Sequence, residues 1–293
     1  MNISDIIKSD PIFQKSTKIS YQPLNGGYSN ETYIVKSDDT KYVVKINFPQ
    51  NEYLQLTRRT EVLAQIKASE LGIAPMVYSN IDMQEYAISE YIEGHLLTYE
   101  EVIWEDNLIQ LGQIMKQIHS IEGIQRECSP YHLIESYCKG IKEFKVVIPN
   151  GYNDIMKQVD IIRKRRELDK MNNSKYCHND MLTLNLLYDD KKITVIDWEL
   201  SGIGDPYMDL ATIPYSCNFD KEKEKILLKS YFGYYEEEMH QALNDLKYIG
   251  VVREMVWGFF FAGLNKSSVN HDLNYYEAGQ YALNQLKKEL IHM

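Results

Sequence analysis

Between Tyr176 and Glu199 the chain reads YCHNDMLTLNLLYDDKKITVIDWE, a stretch patterned for two short strands yet carrying oxygen donors at fixed intervals. Asp180 is followed by Asn185 after four residues, and Asp197 closes the apolar run ITVI. Aspartate and asparagine are poor strand formers, so packing alone does not explain them there. If LNLLY and ITVID form a hairpin turning at Asp189-Asp190, the strands lie side by side and Asn185 and Asp197 converge on one point. A carboxylate and an amide oxygen held on a rigid hairpin suit a hard cation such as Mg²⁺. Asp180, just upstream, faces the same cavity and can accept a proton from a hydroxyl. A base beside metal-holding oxygens is what phosphoryl transfer requires.

Two features upstream point the same way. Lys45 lies within the apolar strand YVVKI, where an unpaired ammonium is costly, and Glu61 on the first helix is its expected partner. The segment LNGGYSN, Leu24 to Asn30, precedes that strand, and Gly26-Gly27 free its backbone to approach a phosphate. No G-K-[ST] follows, so it is not a Walker loop. Asp-x4-Asn with a strand-terminal Asp, and a strand lysine paired to a helix glutamate, is the logic of a kinase catalytic centre. A protein kinase is not expected. Trp198-Glu199 follow Asp197 in place of Phe-Gly, and Asp205-Pro206 and Asp209-Leu210 arrive too soon for a long activation segment. The expected acceptor is a small alcohol.

The elements that must position these groups follow from periodicity. ETYIVKS and KYVVKIN read as strands about a turn at Asp38-Asp39. RRTEVLAQIKASELG reads as a helix with Val62, Leu63, Ile66 and Leu71 at near-helical spacing, stopped by Gly72 and Pro75. YAISEYIEG is a further strand. Beyond it Leu108, Leu111, Met115 and Ile118 mark one apolar helix face. Asp154 to Lys170 reads as an exposed helix, and the chain after Asp209 is mostly helical. The expected fold is α+β and bilobal. Residues 1–90 form a β-rich nucleotide-binding lobe, and residues 91–293 a larger helical lobe with the catalytic loop and substrate pocket.

Bulk properties narrow the class. The 293 residues are 44% apolar and 25% charged, which is ordinary for a globular protein. A net charge of −10 argues against a nucleic-acid surface and is compatible with a cationic ligand. Cys128, Cys138, Cys177 and Cys217 form no C-x-x-C pair and no zinc-site spacing, so reduced thiols are expected. With no signal-peptide pattern and no membrane-length apolar run, a cytoplasmic protein without membrane partners is expected.

On GGYSN, CHNDMLTLN and VIDWELSGIGDPYMDLA, the chain resembles the choline/ethanolamine kinases, within the aminoglycoside-phosphotransferase-like and protein-kinase-like superfamily. The resemblance runs over most of the chain. It implies the protein-kinase-like fold, with ATP and Mg²⁺ as cofactors and choline as the phosphorylated alcohol; ethanolamine, thiamine or an aminoglycoside is the alternative on the same fold. Residue by residue it implies Asp180 as base and Asn185 and Asp197 on Mg²⁺. Gly26, Gly27, Ser29 and Asn30 form the phosphate loop, Lys45 and Glu61 the nucleotide pair, and the backbone at Glu90 and Ile92 the adenine hinge. Near the C-terminus, EMVWGFFFAGLNKS and YYEAGQYAL look like the helix and tyrosine that line the choline pocket. Trp257, Phe260 and Tyr276 then form an aromatic box, with Glu199 adding negative charge to hold the cation. Two residues depart from the family's pattern: Leu200 stands where a tyrosine is common, and Phe260 where a second tryptophan is. A nucleotide-binding module without catalysis is the competing class, and the full set of base, metal ligands and lysine argues against it.

Overall fold

The computed structural model describes residues 2–24, 30–47, 58–79, 85–169, 173–264 and 274–292. The chain opens with α1 (Ile3–Ser9), capped by Asn2, and then β1 (Ile19–Pro23), β2 (Asn30–Ser37) and β3 (Thr40–Asn47). The helix α2 (Arg58–Glu70) precedes β4 (Tyr86–Glu90), and the four strands form one antiparallel sheet in sequence order. Alternation along β3 decides which way its lysine faces. Val44 and Ile46 are buried with Val35, Tyr86, Ile88 and the α1 residues Ile3 and Ile6, so Lys45 between them projects from the opposite face.

The chain then leaves the sheet through Tyr91 to Gly94. It continues through β5 (His95–Leu96), α3 (Tyr99–Val102), α4 (Glu105–Ile118), α5 (Pro130–Glu143) and α6 (Tyr152–Leu168). Next come β6 (Lys175–Cys177), β7 (Leu186–Tyr188), β8 (Ile193–Val195) and β9 (Gly202–Gly204). The last elements are α7 (Tyr207–Ser216), α8 (Lys221–Phe232), α9 (Met239–Leu264) and α10 (Tyr275–His292). β7 and β8 pair as the expected hairpin with Leu186 opposite Val195, which sets Asn185 and Ile196 side by side at its open end. A second, larger core surrounds α4, α5, α7 and α9. Among the described residues, no helix is long and apolar enough to cross a membrane.

Two sequence expectations are corrected. The buried face of α2 is made by Val62, Ala64 and Ala68, whereas Leu71 is 39% exposed. The alanines belong to the larger core because α2 lies close against the turn Trp198–Leu200, where small side chains allow the approach. The helix expected to be exposed, α6, buries Ile155, Val159, Ile162 and Arg166. Arg166 is tied down by a bidentate pair with Asp205 at 2.8 and 3.1 Å, so the Asp-Pro after the β7–β8 hairpin anchors α6.

The contact between α9 and α10 depends on Gly258. A Cβ there would stand 2.6 Å from the Gly279 nitrogen and 2.7 Å from the Tyr275 carbonyl oxygen, both backbone atoms. We therefore expect Gly258→Ala to force the helices apart and to cost about 1–3 kcal/mol of stability, the usual range for overpacking. Thermal denaturation of the variant beside wild type measures it, and an unchanged midpoint would remove this contact from the account.

Candidate active site

The loop of His178, Asn179 and Asp180 is held by a residue buried in the larger core. Asp209, on the first turn of α7, is fully buried. It accepts the backbone N–H of His178 at 2.8 Å and of Asn179 at 2.6 Å. His119 adds its Nε2 at 3.0 Å. Burial by itself would raise the Asp209 carboxyl pKa, but the His119 contact and the His178 environment outweigh it, and the net shift is downward. Asn179 takes φ 64°, a left-handed conformation that asparagine tolerates better than most residues. Its amide nitrogen donates to the carbonyls of Cys128 and Leu200 at 2.8 and 3.0 Å, tying the loop to β9's neighbourhood. The backbone turn at Asn179 leads straight into Asp180.

Asp180 is held at both carboxylate oxygens. Asn185 Nδ2 donates to its Oδ2 at 2.8 Å and to its backbone carbonyl at 2.8 Å, and Arg253 Nη2 donates to Oδ1 at 3.0 Å. The Asn185 amide is thereby oriented by its nitrogen, and its Oδ1 accepts no hydrogen bond from the described residues. Asp197 stands just past β8 with φ 64°, again left-handed, and keeps 38% of its side chain accessible. An amide oxygen with no donor and an accessible carboxylate are oxygen ligands of the kind Mg²⁺ takes, so the residues fit that ion.

Lys45 links the sheet to this hairpin. Its Nζ lies 2.9 Å from Glu61 Oε1, 2.6 Å from Asp197 Oδ1 and 3.4 Å from Glu199 Oε2. Lys45 and Glu61 thus meet as their types suggested. Glu199, expected beside the acceptor's cation, instead faces Lys45 with 13% of its side chain exposed. The reason is local. Trp198–Leu200 is a tight helical turn under α2, and Arg126 Nη1 holds the Glu199 carbonyl at 2.6 Å.

At the hinge, the Glu90 N–H donates to the Met76 carbonyl at 2.8 Å, while the Ile92 N–H donates to no described residue. Gly26, Gly27 and Ser29 lie outside the described residues, and Asn30 is described only as the backbone start of β2.

The three rings expected to form a box do not share one cavity. Phe260 is 2% exposed and packs on Tyr137 and Phe144 in the large core. Tyr276 packs on Phe259 and donates its hydroxyl to the Val147 carbonyl at 2.9 Å. Trp257 is flanked by Phe261 and Tyr275, with centroids at 5.2 and 5.4 Å. Phe260 is drawn into the core by Tyr137 and Phe144 beside α5, and Tyr276, one residue and so about 100° around α10 from Tyr275, turns to Phe259.

Sequence reading passed over Arg253 and Glu254, which precede Trp257 on α9. Arg253 is buried and donates to the Asn179 carbonyl, to Asp180, to Tyr215 Oη and to Glu254 Oε1. Its side-chain type, with Glu254, inside the largely apolar run VVREMVWG was the available signal, since a buried guanidinium requires partners.

Residues 20–244 match the family model described as the phosphotransferase enzyme family, APH. The chain belongs to that family. Among curated relatives, the Haemophilus influenzae protein LicA is 24% identical over 88% of this chain and 96% of its own length. A probable ethanolamine kinase A of Dictyostelium discoideum is 23% identical over 91% of this chain and 84% of its own. Among solved structures, a choline/ethanolamine kinase family protein from Mesorhizobium loti superposes with a TM-score of 0.78 at 20% identity, covering 97% of this chain and 92% of that one. The choline kinase LicA from Streptococcus pneumoniae gives 0.76 at 22% identity, over 97% and 98%. The fold is the protein-kinase-like fold of these phosphotransferases, and the family makes the chain an enzyme of that class.

For this phosphotransferase we expect Asp209→Asn to lose about 3–5 kcal/mol, because it breaks a buried charged contact and turns an N–H toward the backbone donors of the loop. The pH sign follows from the depressed carboxyl. Asp209's contribution is complete above the ordinary carboxylate value of 3.8 and is lost as pH falls through its lower folded value. Acid denaturation followed below about pH 4 should therefore be shallower in the variant. Equal acid profiles would remove Asp209 from the loop's support.

Proposed function

We propose that the chain transfers the γ-phosphoryl group of ATP to the hydroxyl of a small ammonium alcohol of the choline and ethanolamine class. The observation that carries this reading is the joint setting of Asp180, Asn185 and Asp197 at one end of the β7–β8 hairpin, with Lys45 bonded to Asp197. Asp180 orients the acceptor hydroxyl and takes its proton as the oxygen attacks the γ-phosphorus in line and the bond to the ADP leaving oxygen breaks. Lys45, steadied by Glu61, meets the nucleotide's phosphates. The hinge backbone at Glu90 and Ile92 meets its base, where the Ile92 N–H is a donor with no described partner. The loop of Gly26, Gly27, Ser29 and Asn30 covers the phosphates. Asn185 and Asp197 hold Mg²⁺, which when bound neutralises phosphate charge. Trp257, with Phe261 and Tyr275 stacked about it, supplies the ring surface, and the roles of Phe260, Tyr276 and Glu199 at the acceptor become indirect ones.

ATP-rich, reducing cytoplasm suits this chemistry and the four free thiols. Curated and structural relatives carry names for both choline and ethanolamine kinases, which supports the acceptor class and leaves two members of it. A specific observation favours ethanolamine within that class: Phe260, one of the three rings expected to hold a quaternary ammonium, lies in the core.

Incubation with ATP, Mg²⁺ and a panel of choline, ethanolamine, thiamine and an aminoglycoside, read by mass spectrometry, should yield a phosphorylated ammonium alcohol. Turnover confined to the aminoglycoside, or ATP binding with no product from any alcohol, would end the reading. Asp180→Ala should lower kcat by about 10²–10⁴, the span for a positioned base. Asp197→Ala should instead shift the Mg²⁺ titration to higher concentration; a folded variant with an unchanged titration would take Asp197 out of the metal site.

A further inference from the structure

Arg253 has one nitrogen and two carboxylates to share it. Its Nη2 donates to Asp180 Oδ1 at 3.0 Å and to Glu254 Oε1 at 3.2 Å. The Tyr215 hydroxyl donates to the same Glu254 Oε1 at 3.3 Å. Glu254 Oε2 accepts no hydrogen bond from any described residue. Two negative groups therefore stand on one guanidinium, and one of the four carboxylate oxygens is left open beside the base.

Glu254 keeps 38% of its side chain accessible beside Asp180, and its carboxyl pKa is raised chiefly by desolvation, with Arg253 opposing and Asp180 adding to the rise. Trp257 lies one turn along α9 on the same side. Among the described residues the rings beside Glu254 are Tyr215, whose hydroxyl is bound to it, and Trp257, whose ring already packs on Phe261 and Tyr275, while Phe260 is turned into the core. A quaternary ammonium has no N–H and is held by ring faces. A protonated primary, secondary or tertiary amine instead donates to oxygen, and most strongly to a carboxylate.

We propose that Glu254 is the specificity residue of the acceptor site: its open Oε2 accepts an N–H from a protonated amino alcohol whose hydroxyl lies at Asp180, so that acceptors bearing N–H are preferred to quaternary ones. The inference rests on the phosphotransferase reading above, since it is the transferred hydroxyl that fixes the acceptor's other end. Glu254 takes no part in moving the proton. It sets which acceptor is held, and Arg253 couples its charge to that of the base.

Glu254→Gln tests this, because it keeps the side chain's shape and an oxygen for the Arg253 and Tyr215 contacts. Steady-state kinetics on ethanolamine, N,N-dimethylethanolamine and choline should show, in wild type, a fall in kcat/KM of about tenfold or more at the last methylation, the loss expected for one charge-assisted hydrogen bond. In the variant KM should rise about tenfold for ethanolamine and less for choline, collapsing that preference, with the change in KM rather than kcat. Wild-type preference for choline, or a preference that survives the substitution, would overturn the proposal. Calorimetric titration of ethanolamine and choline into both proteins, with a non-hydrolysable ATP analogue present, separates the two levels. Ethanolamine binding that the variant weakens, without product from wild type, would leave Glu254's role and sink phosphoryl transfer to these alcohols. Product formation with unaltered discrimination in the variant would sink the role of Glu254 alone, and absence of binding by either amine would sink both.

Discussion

Two backbone N–H groups, those of His178 and Asn179, end on the buried carboxylate of Asp209 at 2.8 and 2.6 Å, and the placement of Asp180 depends on that contact. A loop can hold a side chain in register only if its own backbone is held. Here the left-handed turn at Asn179 is the strained part, and it is fixed from three directions. Asp209 takes its N–H, the carbonyls of Cys128 and Leu200 take its side chain, and Arg253 takes its carbonyl. Each of those partners comes from a different element, so Asp180 is positioned by the packing of the whole larger core. His119 on α4 then ties Asp209 itself, which carries the constraint into the helical layer.

Charge is arranged in two groups around that loop. Lys45 meets Glu61, Asp197 and Glu199, and Arg253 meets Asp180 and Glu254. Each group joins elements that are far apart in the chain: Lys45 ties β3 and α2 to the turn after β8, and Arg253 ties α9 to the loop of Asn179 and Asp180. Composition gives the sum of these charges but not which of them meet.

How far the sequence could be read follows from which interactions are local. Asp180, Asn185 and Asp197 were legible because hairpin geometry fixes their approach within twenty residues, and β7 pairs with β8 in that register. Lys45 was legible because alternation along an apolar strand leaves it no room in the sheet's core. Glu61 followed from it as the needed counter-charge. The buried face of α2 was not, since Ala64 and Ala68 signal nothing until the turn Trp198–Leu200 arrives against them. The aromatic residues failed for a related reason. A run such as WGFFF offers a ring to every side of a helix, and only the crossing of α10 at Gly258 selects Trp257 and Tyr275 as neighbours.

That same crossing bears on what kind of cation the site is made for. With Gly258 against Gly279, α10 comes close enough for Tyr275 to stack edge-on against Trp257, and Phe261 closes the other side. The indole is therefore already in contact with two rings, and the surface it can give an acceptor is one face or edge. Phe260, three residues on, has exchanged exposure for contacts with Tyr137 and Phe144. Ring surface and carboxylate oxygen are alternative ways to hold an ammonium, and a site poor in the first must draw on the second. On α9 the second is Glu254, one turn before Trp257, so the helix that resembles an aromatic wall in sequence also carries a carboxylate that shares Arg253 with Asp180.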